Sequence, residues 1–151
     1  MKKISLFIFM LVLLFGLYLV YNHFTYSFLH KGDIKEGSPI LSPNEKYSAQ
    51  IYYENYGGAM GGVNLIVNII NHQKNDEEQT IYFSDAKGSV NVNWTAPEVL
   101  SVTNYDEYNN RSIELVVGKE IYDEQGNACN AYKVKKAFIC KDKDSKWRIT
   151  V

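Results

Sequence analysis

The chain has 151 residues, room for one domain with accessory segments but not for two full domains. Its 16 Lys and Arg stand against 17 Asp and Glu, so no global field favours nucleic acid or an acidic partner. The 12 tyrosines favour half-buried strands and polar-tipped contact surfaces, which points to a β-rich domain.

From Ile4 to Tyr21 the chain carries no charge. As a helix this run is about 27 Å long, close to the roughly 30 Å hydrocarbon core of a bilayer. Tyr18 and Tyr21 lie at its far end, where aromatic rings prefer the interface, and Lys2 and Lys3 precede it. The reading is a membrane anchor over residues 1–21, inserted through residues 4–21, with the N-terminus in the cytoplasm and the rest outside the cell membrane. A cleaved signal peptide, giving a secreted soluble protein, is the alternative, but it requires small residues at the cleavage site. No Ala precedes Ala49, Thr25-Tyr26-Ser27 is the only passable site, and no cysteine follows the run to carry a lipid. Residues 22–42, with Gly32, Gly37 and Pro39, read as a juxtamembrane tether with some helix near the membrane. His23 and His30 fall there without a third ligand nearby, so they read as interfacial polar residues rather than metal ligands.

Residues 43–151 read as the outer domain, in which the apolar period becomes two. Tyr47, Ala49, Ile51 and Tyr53 alternate with polar residues; Val63, Leu65, Val67 and Ile69 alternate with Asn64 and Asn68. Thr80–Phe83, Val90–Trp94, Val99–Val102 and Ile113–Val117 follow, and Trp147, Ile149 and Val151 close the chain. Short alternating runs between turn residues predict a mainly β fold: a single antiparallel β-sheet or sandwich with one wet face behind a transmembrane helix. The expected turns are residues 42–45, 75–79, 85–88, 105–110, 124–127 and 142–145.

Between the first two strands stands Tyr56-Gly57-Gly58-Ala59-Met60-Gly61-Gly62. Gly57 and Gly62 have the spacing of a P-loop, but Val63 and Asn64 replace its Lys and Ser/Thr, and a strand pattern follows instead of a helix. A dinucleotide fingerprint fails for the same reason. The stretch therefore reads as a hairpin connection, and Tyr56, Gly57, Gly58, Met60, Gly61 and Gly62 form a candidate contact loop.

A hairpin turning at residues 124–127 would match Arg111–Tyr122 against Ala128–Ile139. It would set Cys129 and Cys140 about 36 Å apart on one strand. That exceeds the roughly 7 Å limit on Cα separation, so two free, partly buried thiols are expected. Asn93-Trp94-Thr95 and Asn110-Arg111-Ser112 match the glycosylation pattern, one that is frequent by chance. The acidic pairs and triplet at Asp76-Glu77-Glu78, Asp106-Glu107 and Asp123-Glu124 sit in expected turns and read as solvated charge rather than a cation site. His72 stands with no Ser or Cys beside it in an activating motif.

Leu41-Ser42-Pro43-Asn44-Glu45-Lys46-Tyr47, Tyr56-Gly57-Gly58-Ala59, Val90-Asn91-Val92-Asn93-Trp94 and Val99–Asn104 occur in an order that resembles a family of small envelope proteins of Gram-positive bacilli, the domain of unknown function five-four-one-two. The similarity covers Pro39 to Asn104. It implies an anchor ahead of the domain and carries over no catalytic residue. The Ser42–Tyr47 element also looks like the turn that opens a β-propeller blade, but one copy is too few for a propeller.

The sequence thus predicts a membrane-anchored binding or interaction module, with no catalytic residue, cofactor or metal assigned. The expected partner is a protein, a peptide or a cell-wall polymer. Tyr52, Tyr56, Tyr105 and Tyr108 are candidate contacts. A surface enzyme is the competing reading, favoured if acidic residues gather with His72 in one cleft.

Overall fold

The computed structural model describes residues 2–143. The closing strand expected at Trp147, Ile149 and Val151, and the end of the turn at residues 142–145, lie outside the described residues.

Helix α1 (Lys2–Thr25) is followed by strands β1 (Ile34–Leu41), β2 (Tyr47–Tyr56), β3 (Gly62–Asn71), β4 (Glu77–Asp85), β5 (Ser89–Ala96), β6 (Val99–Tyr105), β7 (Ile113–Val116) and β8 (Glu120–Asp123). Two short helices, α2 (Asn127–Asn130) and α3 (Tyr132–Ala137), lead to β9 (Ile139–Lys141). The strands form a six-stranded sheet, β1-β2-β3-β4-β8-β9, and a three-stranded sheet, β5-β6-β7. Pairing is antiparallel except at β4–β8 and β8–β9.

Period-two patterning explains the main core. Tyr47 and Ala49 of β2 and Leu65, Val67 and Ile69 of β3 turn one face toward Val92, Leu100, Val102 and Leu115 of the small sheet. A bulge in β4 leaves Ile81 unpaired between Thr80↔Asn68 and Tyr82↔Val67. Ile81 and Tyr82 therefore both reach this core, and Phe83 swings to the other face. Asn91 and Asn93 of β5 face solvent, as the alternation predicts.

The large sheet has no wet face at its centre. Asn64 and Asn68, expected outside, are 8% and 0% exposed. Their face is covered by a second core, in which Ile66, Phe83 and Ile121 meet Phe28, Ala128, Ala131 and Val134. The covering pieces are the chain just after α1 and the α2–α3 segment. Asn68 is satisfied there: its Nδ2 donates to the His30 carbonyl at 2.8 Å, and its Oδ1 accepts from Thr80 Oγ1 at 2.8 Å.

Helix α1 runs on through Thr25, in line with the helix expected near the membrane, but the rest of the tether is corrected: Ile34–Leu41 forms β1 on the edge of β2, from Ile34↔Tyr53 to Leu41↔Ser48. Between them Phe28 is 4% exposed, worth about 1.5–3 kcal/mol of burial. The His30 ring packs against Phe83 at 4.7 Å and Phe28 at 5.4 Å, and the His30 N–H donates to Thr80 Oγ1 at 2.7 Å. At Gly32 a Cβ would collide with the Tyr53 carbonyl, so only glycine lets the chain pass this close to β2.

The C-terminal hairpin is corrected as well. Residues from Ala128 toward Ile139 form α2 and α3, not a strand, because Asp123 turns the chain into helix. Its Oδ2 accepts the Ala128 N–H at 2.7 Å and its Oδ1 the Gln125 N–H at 3.0 Å. The helices fold the chain back and bring the Cα atoms of Cys129 and Cys140 to 5.2 Å. The two cysteines form a disulfide instead of remaining free thiols.

The two sheets are also tied by polar contacts. Tyr82 Oη donates to the Arg111 carbonyl at 3.0 Å and accepts from Asn104 Nδ2 at 2.8 Å. Arg111 Nε donates to Glu124 Oε1 at 2.6 Å, while Glu124 Oε2 accepts from Ser84 Oγ at 2.6 Å and the Asp85 N–H at 2.9 Å. Asp123 and Glu124, expected as solvated loop charge, are therefore structural acceptors, and Asp123 is buried. Burial alone would raise the Glu124 carboxyl, but these donors hold it below the ordinary carboxylate value. Burial pushes Tyr82 up to about 12, and Tyr122, stacked on it at 5.1 Å, is raised for the same reason.

Candidate functional site

A cleft arises from the way β4 and β8 meet. They pair only at Tyr82↔Tyr122 and Phe83↔Asp123. Toward Glu77 and Glu120 the strands carry no mutual pairing, and a cleft of about 630 Å³ opens there. That volume lies within the range of small-ligand and peptide pockets. Ile69, Ile81, Val117 and Ile121 supply apolar wall, and Gly118 turns the chain at its rim with φ 78°, a conformation glycine adopts without strain.

The polar lining is mixed in sign. Lys46 Nζ reaches Glu98 Oε1 at 3.0 Å, and Lys141 Nζ reaches Glu120 Oε1 at 2.8 Å. Burial would raise the Glu120 carboxyl, but Lys141 and the Val116 N–H hold it below its ordinary value. Lys74, Lys119 and Glu77 also line the cleft and have no ion-pair partner among the described residues. An apolar floor with free charges of both signs suits a polar, extended chain better than a single anion.

A second constellation joins three residues the sequence keeps apart. Cross-strand register sets Ser48 of β2 opposite Ile70, two residues before His72. Ser48 Oγ lies 2.7 Å from His72 Nε2, and His72 Nδ1 lies 2.6 Å from Asp76 Oδ1. The turn that presents Asp76 holds Asn75 and Asp76 at φ 52° and 56°. Asp76 as a carboxylate only accepts, which puts a proton on Nδ1; in the neutral ring Nε2 then accepts from Ser48. This is the bonding order of an acyl-transfer triad, and it places an acid beside His72. Access runs the opposite way, however: Ser48 is 5% exposed, whereas the Asp76 side chain is 71% exposed. A working triad opens its nucleophile to substrate and screens its acid from water. The three residues clasp the β3–β4 turn to β2.

The glycine stretch forms the tip of the β2–β3 hairpin, with Tyr56 paired to Gly62. Gly57, at φ 78°, leads into a single 3₁₀ turn over Gly58–Met60, and strand β3 follows. Met60 is 98% exposed. Tyr56 is held back: its Oη donates to Asp85 Oδ1 at 3.0 Å, and Asp85 also pairs with Lys87. Of the other tyrosines singled out, Tyr105 and Tyr108 are exposed, while Tyr52 is half-buried and donates to Glu78 Oε1 at 3.1 Å. Glu78 pairs with Lys31 and accepts from Asn68 as well, so it too is a structural acceptor. No group of three or more His, Cys, Asp or Glu able to hold a metal ion occurs among the described residues.

These features define a two-sheet β domain behind a helix whose Leu6–Thr25 segment is long and apolar enough to cross a membrane. The chain belongs to the family of unknown function DUF5412, whose model matches residues 1–127. Helix α3, strand β9 and both cysteines lie beyond the matched residues. No curated protein and no solved structure is similar enough to be matched to this chain.

Proposed function

We propose that this chain is a single-pass membrane protein whose β domain stands outside the cell membrane and binds an extended peptide segment of a partner in the β4–β8 cleft. The observation that carries the binding reading is the divergence of these two strands over an apolar floor. An incoming strand can add to a β edge by main-chain hydrogen bonds there, while Lys74, Lys119 and Glu77 set polarity and direction. A cell-wall polymer is the other partner class the exposed charges and tyrosines suit. The loop around Met60 offers a separate contact surface at the opposite end of β2.

Orientation rests on the disulfide. Lys2 and Lys3 precede the span, but Lys31 and Lys35 follow it closely, so charge bias alone is even. A bridge between Cys129 and Cys140 persists in an oxidising space and supports an outside domain.

The test is a photoreactive residue at Gln79, a cleft-lining position, in intact cells. Crosslinking to one partner that is lost on replacing Lys119 by Glu supports the reading; a signal from an exposed β5 position such as Asn93 but none from Gln79 removes it. The bonding order of Ser48, His72 and Asp76 is the one observation on the side of a surface hydrolase, and the burial of Ser48 stands against it. Covalent labelling of Ser48 by a fluorophosphonate decides that.

A further inference from the structure

We propose that helix α3 lies on the membrane surface beside the exit point of α1, where Lys133, Lys135 and Lys136 bind anionic phospholipid headgroups. This inference rests on the anchoring role given to α1 above. The uncharged run from Ile4 spans about the thickness of the hydrocarbon core, so residues near Phe24 sit at headgroup depth.

Helix α3 packs at that depth. The Tyr132 ring lies 4.6 Å from Phe24 and 5.7 Å from His23, and Lys136 Nζ stands 4.4 Å over the Tyr132 ring. An aromatic cluster with a lysine above it is the composition found at membrane interfaces. Only Val134 of α3 is buried; Tyr132, Lys133, Lys135, Lys136 and Ala137 are exposed. The three lysines have no ion-pair partner among the described residues. Lys133 and Lys136, three positions apart, share a helix face and repel one another modestly, which an anionic surface relieves.

Packing holds α3 against the end of α1 and the segment that follows it. Phe28 is buried in the second core, His30 is clasped by Asn68 and Thr80, and the disulfide ties the segment carrying α3 to β9. Val134 packs in the same core as Phe28. The basic face therefore moves with the end of the span as one body. Charge bias does not oppose this placement, because that rule counts only lysines close to the span in sequence.

The test is hydrogen exchange of the full chain in phosphatidylcholine nanodiscs and in nanodiscs containing about 30% phosphatidylglycerol. Exchange at residues 132–137 is expected to slow in the anionic discs by on the order of five-fold per engaged lysine, and the difference to vanish as salt rises from roughly 0.05 to 0.5 M. The triple variant K133Q/K135Q/K136Q should lose the lipid dependence while β3 exchange stays unchanged; the triple arginine variant should retain it and guards against misfolding. Equal exchange in both discs, or the same protection from inorganic phosphate in neutral discs, overturns the proposal and leaves the anchor standing. Failure of the chain to purify with discs overturns both.

Discussion

Removing the bridge between Cys129 and Cys140 should cost a measurable and calculable share of the stability. The two residues are 11 positions apart, and closing a loop of that length removes about 9–10 cal/mol/K from the unfolded chain, or about 3 kcal/mol at 25 °C. A domain of this size unfolds with an entropy of roughly 0.25 kcal/mol/K, so the C129S/C140S double variant should melt about 10 °C lower. The native enthalpy should change little, because Cys140 borders the second core without being its centre. The assay is thermal unfolding of the full chain in detergent, followed by near-ultraviolet circular dichroism with and without reductant. Unreduced protein unfolded in denaturant should take up no thiol reagent, and reduced protein should take up two adducts. Two adducts without reductant, or a melting shift below about 3 °C, would refute the reasoning.

Glu124→Ala should destabilise by about 3–5 kcal/mol, since it strands the Arg111 guanidinium, whose side chain is 7% exposed, together with the donors of Ser84 and Asp85. Chemical denaturation measures this, and a loss below about 1 kcal/mol would show that water replaces the carboxylate freely. Glu124 titrates below its ordinary 4.5 in the folded state, so the stability it contributes is present above that value and lost as pH falls through the folded value. An acid titration of Glu124→Gln should be flatter than wild type. At the other extreme Tyr82 stays protonated to about 12 against 10.0 unfolded, which gives stability present below pH 10 and lost as pH rises to 12. The loss is on the order of 2–3 kcal/mol, and Tyr82→Phe should shrink it; an unchanged alkaline transition would assign it to Tyr122 alone. His72→Ala should leave a fluorophosphonate probe with nothing to lose, because Ser48 in the wild-type protein is expected to stay unlabelled.

Much of the fold was legible because its signal is local. Tyr47–Tyr53, Val63–Ile69 and Val90–Trp94 alternate cleanly, and each forms a strand facing the inter-sheet core. Asn64 and Asn68 misled for a physical reason: they are polar residues on a face roofed by distant pieces of chain, and their burial is satisfied by Glu54, Thr80 and the His30 carbonyl. The roof had no periodic signal of its own. Helix α3 is six residues long, too short to develop an apolar stripe, and its Val134 is the only buried position. The cysteine pair then followed the misread strand. The Ser48–His72–Asp76 clasp was equally hidden, since it depends on which residue of β3 lies across from Ser48. The cleft depends on where two parallel strands stop pairing, which no local pattern encodes.

The place of β8 in the large sheet bears on how the chain matures during synthesis. Strands β1 to β4 are joined by nearest-neighbour hairpins and can assemble as soon as they emerge, and so can β5 to β7. The outer margin of β4, by contrast, must wait for everything from Ser89 to Val116 to pass before β8 arrives to cover it. Until then it is an unprotected template for a neighbouring nascent copy. Closure at Tyr82 and Tyr122 covers the C-terminal part of that margin, and β9 then pairs on β8 in turn.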